Sequence, residues 1–319
     1  MKPIAIITAD WHLHNFTESG RSLKNWRVIK QIGKVANRYK IPILFCGDMF
    51  HDPHRISSSV MDKFINGYKK YLHNIPVVAI PGNHDQSRKN TLKKKSPDYI
   101  TTFSGIFPNL IVLDQYKDYT HGDLHVKGIP YMSTSKDFTK SLEIVKNRVK
   151  PGKINILLTH RDYPNLMPFS EKMDTGKAKE LVDSMFKPFS IVFSGHIHIP
   201  LRIGNNSYMV GAPQQQSWRD RGIRYGYIIL YQSGDSLKVK YHKFRAPEFI
   251  EHDTPEAPDN YNFYRYVEKP NRETREEVAR GNFSTRLSPK RVAKNYLKAL
   301  GNDIPKNYGK RLLTIMSEV

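Results

Sequence analysis

Five stretches of this chain carry residues able to hold divalent metal ions: Asp10-Trp11-His12, Gly47-Asp48 with His51 three positions on, Gly82-Asn83-His84-Asp85, His160, and Gly195-His196-Ile197-His198. Carboxylate, imidazole and amide-oxygen donors suit a mixed oxygen and nitrogen site for Mn, Fe or Zn. They do not suit a structural zinc site built on thiolates, and the chain has a single cysteine, Cys46, inside an apolar run. Any one Asp-x-His or His-x-His is a common accident. Five such signals, each directly after a stretch with strand character, call for one explanation. Hydrolysis of a phosphodiester needs an activated water, neutralisation of charge on the non-bridging oxygens and an acid for the departing alkoxide. Two ions about 3.5–4 Å apart supply the first two.

The elements that must position these residues follow a repeated plan. Ile4 to Thr8 reads as a strand, Ser22 to Tyr39 has helical spacing at Leu23, Trp26, Ile29, Ile32 and Val35-Ala36, and Ile41 to Phe45 is a second apolar strand. Together they make a βαβ unit and start a parallel sheet. The next cycle is a helix over Val60 to Leu72 and a strand over Ile75 to Ile80 that ends in Pro81-Gly82-Asn83-His84. In open α/β sheets, sites gather at the carboxyl ends of the strands. Leu110 to Leu113, His125 to Tyr131, Ile154 to Thr159 and Ser190 to Ser194 read as further strands, with helices over Lys136 to Val149 and Lys177 to Phe186. Residues two apart on a strand face the same way. Asp10 and His12 are therefore expected to reach one ion, and His196 and His198 to face together. From Leu201 to Phe244 short segments separated by turns predict an antiparallel meander.

The 319 residues carry 51 Lys and Arg against 30 Asp and Glu, a net charge of +21, which suits an anionic polymer as partner. The densest basic stretch, Arg88, Lys89, Lys93, Lys94 and Lys95, follows the third ligand motif directly. It reads either as a solvated loop or as a set of DNA backbone contacts. No apolar run approaches the roughly 20 residues that span a bilayer, and the N-terminus has no signal-peptide pattern. The expected location is the cytoplasm, without membrane attachment. Residues 246–272 begin with a stretch rich in proline and acidic residues that reads as a linker or strap, and 273–319 as a basic helical region.

In this order, the motifs Asp10-x-His12, Gly47-Asp48, Gly82-Asn83-His84-Asp85, His160 and Gly195-His196-x-His198 resemble the complete set of the calcineurin-like metallophosphoesterases, over about residues 1–245. Gly47-Asp48-Met49-Phe50-His51 is similar to the DNA-repair nuclease branch of that superfamily, the SbcD type. The resemblance implies an α/β fold of two mixed β-sheets sandwiched by helices, with a short C-terminal helical appendage. It implies two divalent ions, Mn2+ foremost, with Asp10, His12, Asp48 and His198 holding one and Asp48, Asn83, His160 and His196 the other. His84 would stabilise the phosphate or protonate the leaving oxygen, and His51 would position the scissile phosphate or, read blandly, be a surface histidine. His14, His54, His73, His121, His125, His242 and His252 match no ligand position.

The implied activity is that of a metal-dependent DNA nuclease, exonuclease or endonuclease, in DNA repair or recombination, joined to an SMC-like ATPase and dimerising through the helix over Val60 to Leu72. The alternative is a stand-alone phosphoesterase for small nucleotides or phosphoproteins. The compact build is similar to nuclease components of large phages, which would place the protein in the host cytoplasm. The basic helices near Ser288 to Leu300 and Tyr308 to Met316 fit a dock for the ATPase, a DNA-binding tail, or a helical pair packed on the core.

Overall fold

The structure, a computed structural model, describes residues 1–18, 21–163, 175–252 and 262–266. Along the chain, β1 (Lys2–Thr8) is followed by the short strands β2 (Thr17–Glu18) and β3 (Arg21–Ser22), then α1 (Arg27–Tyr39), β4 (Ile43–Phe45), α2 (Ser58–Tyr71), β5 (Val77–Ala79), α3 (Tyr99–Ser104) and β6 (Leu110–Val112). Next come β7 (Tyr119–His121), β8 (Leu124–Ile129), α4 (Ser135–Lys146), β9 (Ile154–His160), α5 (Thr175–Phe186) and β10 (Ile191–Gly195). The final described elements are β11 (Leu201–Arg202), β12 (Ser207–Met209), β13 (Gly226–Ser233), β14 (Ser236–Lys243), β15 (Phe249–His252) and β16 (Phe263–Tyr266).

Two six-stranded sheets result, in the orders β14-β13-β1-β4-β5-β6 and β11-β12-β10-β9-β8-β7. Both are mixed. In the first, β1, β4, β5 and β6 are parallel and β13 is antiparallel to β1. In the second, β8, β9, β10 and β12 are parallel, and β7 and β11 are antiparallel at the two edges. The strands are apolar on both faces because both faces are covered. Ile7, Leu44, Val78 and Ile80 of the first sheet and its strand ends meet Val126, Ile156, Leu158 and Phe193 of the second. On the outer face, Ile6, Ile43, Phe45 and Val77 pack against Val28, Ile29 and Ile32 of α1 and Phe64 and Tyr68 of α2. On the second sheet α4 lies against β8 and buries Phe138, Leu142 and Val145. Because all parallel strands of each sheet run the same way, their carboxyl ends form one edge, and the ligand motifs are carried there.

Two expectations are corrected. The stretch from Leu201 to Phe244 is not one antiparallel meander: β11 and β12 complete the second sheet, β12 parallel to β10, while β13 crosses to β1. The reason lies in β13 itself, where Ile228 and Leu230 enter the core between the sheets and Ile229 the core under the helices. A strand apolar on both faces is buried best in a sheet interior. The first helix starts at Arg27 and not at Ser22, because Lys24 adopts φ 54°, a left-handed conformation that breaks the turn. Leu23 instead packs with Phe249 and Phe263.

By compactness the chain divides into one unit of Met1–Asp162, Val182–Ile250 and Asp259–Tyr264, which holds both sheets, and another of Tyr163–Leu181, Glu251–Pro258 and Arg265–Val319. Within the stretch expected as a strap, β15 and β16 pair as a two-stranded sheet. The expected basic helical region 273–319 lies outside the described residues. Among the described residues no helix is long and apolar enough to cross a membrane.

Candidate metal centre

The loops that leave β1 and β4 stay bonded to each other beyond the strands. The Asp10 amide donates to the Gly47 carbonyl (2.9 Å), that of His12 to Asp48 (3.1 Å) and that of Leu13 to Met49 (2.9 Å). Four of the candidate ligands take left-handed backbone conformations, Asp10 (φ 52°), His12 (φ 44°), Asp48 (φ 60°) and His196 (φ 86°). Such conformations cost of order 1–3 kcal/mol each in non-glycine residues and cluster at functional sites. This is where the strand-alternation argument fails. Asp10 and His12 lie past the end of β1, and their side chains converge by a left-handed turn, not by pleat. His196 and His198 do not face together: His196 Nδ1 is 2.9 Å from Asn83 Oδ1, whereas His198 Nε2 is 3.1 Å from His12 Nε2.

The donors fall into two groups that share one atom. Asp10, His12 and His198 offer ligand atoms within 4.8 Å of one another, as do Asp48, His160 and His196. Asp48 Oδ2 stands 3.6 Å from His12 Nε2 in the first group and 3.3 Å from His160 Nε2 in the second. Asn83 Oδ1 adds a neutral oxygen to the second, 2.9 Å from His160 Nε2. Asp48 Oδ1, meanwhile, accepts from the His84 amide (2.8 Å), which fixes the carboxylate's orientation.

The residues fit a pair of divalent cations, on three observations. First, Asp10, Asp48 and Asp85 are all buried here, and among the described residues no Lys or Arg is paired to them. Second, buried polar atoms are left over at the site: among the described residues Asp10 Oδ2, His12 Nδ1 and His51 Nδ1 have no hydrogen-bond partner, as is true of several buried atoms elsewhere, and in folded proteins an ion or water meets such atoms. Third, the tautomers are arranged for ligation. A carbonyl oxygen can only accept, so the 2.6 Å contact of His160 Nδ1 with the Cys46 carbonyl makes Nδ1 the donor and turns the Nε2 lone pair toward Asp48 and Asn83. Asp220 Oδ1 lies 3.8 Å from His198 Nδ1, an electrostatic contact longer than a hydrogen bond. The Nε2 atoms of His12 and His198 face each other at 3.1 Å, so one donates to the other unless a cation draws the lone pairs of both.

The electrostatics agree. Burial opposes ionisation of Asp48, yet the neighbouring His160 and its hydrogen bond win and hold its carboxyl below the usual range. For His160 burial pulls down, but Asp48 outweighs it and raises the ring to about 9, so without an ion Nε2 carries a proton toward Asp48 that a metal would displace. Burial lifts Asp10 to about 6. Burial depresses His12 well below its ordinary value, and burial with the charge of His160 takes His196 down to about 4. These two rings are neutral at pH 7, the state in which an imidazole can ligate. Asp85 is not directed at an ion. Its carboxylate accepts from the amides of Asp48 (2.8 Å), Met49 (2.9 Å), Phe50 (3.2 Å) and Gly82 (2.9 Å), which staples the second and third ligand loops together. The glycines are steric necessities: a Cβ on Gly47, itself at φ 92°, would strike the His160 ring, and one on Gly82 would strike the Asp48 carboxylate.

His84 and His51 stand beside the first group; with His12 they form a third trio whose ring nitrogens lie within 4.8 Å of one another. His84 Nδ1 is 2.5 Å from the His51 carbonyl, so it is the donor and leaves Nε2 as the atom able to exchange a proton. The basic residues Arg88, Lys89, Lys93, Lys94 and Lys95 lie on the surface, but their loop is anchored. Asn90 is buried at its centre, donates through Nδ2 to the Tyr131 carbonyl (3.0 Å), receives the Ser96 amide (3.1 Å) and gives its own amide to Ser133 Oγ (2.9 Å). The Tyr131 ring in turn lies 5.8 Å from that of His196. Sequence reasoning missed Asp220, Tyr131 and the packing of His14 against His51, with ring centroids 5.4 Å apart. Asp220 carries a local signal, the capping box with Ser217, but nothing local ties it to His198 22 residues earlier.

The sequence model described as calcineurin-like phosphoesterase matches residues 5–200. Among curated proteins, an uncharacterized protein, R555, of Acanthamoeba polyphaga mimivirus is 28% identical over 212 residues, 62% of this chain and 15% of the relative. The putative phosphoesterase 244L of Invertebrate iridescent virus 6 is 24% identical over 56% of this chain and 60% of the relative. A component of the SbcCD nuclease of Staphylococcus saprophyticus, the one named for the letter D of that complex, is 24% identical over 255 residues, 74% of this chain and 67% of the relative. The chain thus spans less than two thirds of the length of the two viral proteins it matches. Among solved structures, a dimetal phosphatase from Danio rerio aligns over 75% of this chain and 96% of its own at 10% identity and a TM-score of 0.49.

Proposed function

This chain belongs to the calcineurin-like phosphoesterase family, and from that premise we propose that it is a two-metal DNA nuclease of the SbcD type, cutting phosphodiester bonds in DNA end processing with an SMC-like ATPase as partner. The observation that carries the reading from phosphoesterase to nuclease is the anchored basic loop. Five cations on a surface loop are ordinarily a solvated face. Here the loop is tied through Asn90 to the Tyr131 carbonyl, and the Tyr131 ring lies 5.8 Å from that of His196, which supports a polyanion path over the loop by its remaining cations, Lys95 being paired with Asp114 (3.6 Å). The likeness over 255 residues to a component of the SbcCD nuclease points the same way.

In this reading Asp10, His12, Asp48 and His198 hold one ion and Asp48, Asn83, His160 and His196 the second. Bound there, two divalent ions, Mn2+ in this proposal, lower the pKa of water and offset the charge of the phosphate oxygens. The chain's own residues do the rest. The His51 carbonyl fixes the His84 ring so that Nε2 presents a proton to the leaving oxygen, and the His51 ring helps position the phosphate. Two copies pairing through α2 belong to the same proposal, and sedimentation as a monomer at micromolar concentration would count against that part.

The test is hydrolysis of end-labelled linear DNA and of bis-(p-nitrophenyl) phosphate in Mn2+, comparing the wild type with His84→Ala and Asp48→Ala. The expected result is DNA degradation by the wild type alone. Cleavage of the small ester without DNA, even with a candidate ATPase present, supports the second reading, a stand-alone phosphoesterase of the kind that 244L is named for.

A further inference from the structure

Among the described residues, a few large apolar side chains are exposed, and one of them touches the metal centre's rim. Phe16 is 54% exposed, yet its ring lies 4.8 Å, edge-on, from that of His51. A phenylalanine left in water forgoes much of the hydrophobic gain of burial, so something must hold it outward. The local geometry does. The Phe16 amide donates to His14 Nδ1 (2.9 Å), and the His14 ring stacks on that of Phe16 with centroids 4.3 Å apart and planes 27° apart. His14 is itself buried against His51, so it backs the Phe16 ring from the protein side. Asn15, between the two, donates to Ser57 Oγ (3.0 Å) at the start of α2 and accepts from Lys63 Nζ (3.1 Å). Phe16 is therefore a fixed aromatic plate with an imidazole on one face, held next to His51, whose ring is in turn 5.5 Å from that of the proposed acid, His84.

A plate of this kind recognises a flat π-system. We propose that Phe16 is a stacking platform for the nucleobase adjoining the scissile phosphate, making the preferred substrate a base-bearing, unpaired DNA end and not a phosphoprotein or a simple phosphate ester. This inference rests on the nuclease reading above. Its location supports it: Phe16 and His84 both contact the His51 ring, with centroids 4.8 and 5.5 Å away, so the plate and the proposed acid share one neighbour. The surrounding charge of +21 supplies backbone attraction without base preference, and stacking on an aromatic adds the contact that distinguishes a nucleotide from a phosphate.

The test uses the full chain carrying His84→Ala, so that DNA is bound and not cut, with Mn2+ and two fluorescently labelled single-stranded oligonucleotides. One carries 2-aminopurine at its terminal position and the other an abasic residue there. Anisotropy reads affinity and 2-aminopurine fluorescence reads stacking. With Phe16 present, 2-aminopurine is expected to be quenched on binding. Phe16→Leu is expected to lose the quench and to weaken binding of the base-bearing oligonucleotide about 5- to 150-fold, leaving the abasic one unchanged; Phe16→Tyr restores both. If Phe16→Leu weakens both oligonucleotides equally or neither, the platform is refuted while the nuclease reading stands. If neither oligonucleotide binds with Phe16 in place, the nuclease reading falls and the platform with it. Circular dichroism melting of each variant separates a folding defect from a lost contact.

Discussion

Among the described residues, two buried polar clusters differ in kind, and one of them has the makings of a site. At the strand ends, Asp10, Asp48 and Asp85 sit with His12, His160 and their neighbours. Among the described residues no Lys or Arg is paired to these carboxylates, and Asp10 Oδ2 and His12 Nδ1 are left without partners. Against β8, Asp118 sits with two cations. Lys127 Nζ is 3.8 Å from Asp118 Oδ2, Arg148 3.2 Å and His125 Nε2 3.0 Å, and His125 Nδ1 is 3.1 Å from Asn155 Oδ1. Asn155 in turn gives both amide protons to the carbonyls of Lys150 and Lys153. The second cluster sets two fixed cations against one carboxylate, although Asp118 Oδ1 too is left without a partner; the first has only histidines to oppose its carboxylates. Burial alone therefore does not mark a functional site. An excess of one charge sign, with lone pairs aimed at a common point, does.

The difference is broken open most strongly by Asp10→Asn. The amide preserves the oxygen that accepts from the His196 backbone and removes the charge aimed at the first ion. DNA cleavage is expected to fall by about 10³-fold or more, since a direct ligand should matter more than the 10- to 100-fold typical of residues behind the ligands. Thermal stability without metal should hold or rise, because a buried, uncompensated carboxylate is costly. Loss of fold together with loss of activity would put Asp10 in the same class as the other cluster.

The reverse behaviour is expected of Asp118→Ala. Breaking a buried ion pair by removing one partner costs about 3–5 kcal/mol, because Lys127 would remain buried with no carboxylate. The partial exposure of Asp118 (14%) puts the expectation at about 3 kcal/mol. Chemical denaturation should show that loss, while cleavage per folded molecule stays at the wild-type level. A selective loss of cleavage would mean that the two clusters communicate.

Asp220→Asn gives a smaller effect within the first cluster. It keeps a polar side chain near the amides of Gln216 and Ser217 but weakens the hold on His198 Nδ1. Calorimetric titration with Mn2+ should show one of two binding events weakened about 10-fold. Equal weakening of both would show that Asp220 supports the loop and not one ligand.

How far this contrast was legible in the sequence can be traced residue by residue. The strand-end motifs were, since apolar runs ending in Gly47-Asp48, Gly82-Asn83 and Gly195-His196 carry both strand and ligand signals, and the two mixed sheets were expected from the family resemblance those motifs carry. The glycines there are needed where a Cβ would strike His160 or Asp48, so the motif spacing has a steric cause. What was not legible is backbone hand: no periodicity announces that Asp10, His12, Asp48 and His196 turn left-handed, and the expectation that His196 and His198 face together failed for that reason. Asp220 and the hook at Asn90 are long-range contacts with no local signature. His125 and Lys127 alternate on β8 as outward polar residues would, and only the covering elements bury them.

The smallest effect tests the second cluster by pH. Burial lowers Lys127 from its ordinary value to about 8, with the nearby Asp118 opposing. The unfolded chain, where Lys titrates near 10.4, binds more protons than the folded one between those values. Stability therefore rises with pH across that window, and the penalty of burying the charged amine is fully present below about pH 8. In Lys127→Met that penalty is absent at every pH. The melting temperature of the variant relative to the wild type should be highest at pH 7 and shrink as pH rises from 8 toward 10, by a few degrees, at about 2–4 °C per kcal/mol in proteins of this general size. Comparing the two proteins at each pH cancels the other groups that titrate there. A difference that does not change with pH would mean that Asp118 already holds Lys127 as a fully compensated cation, and the second cluster would then be closer to a settled ion pair than to a strained one.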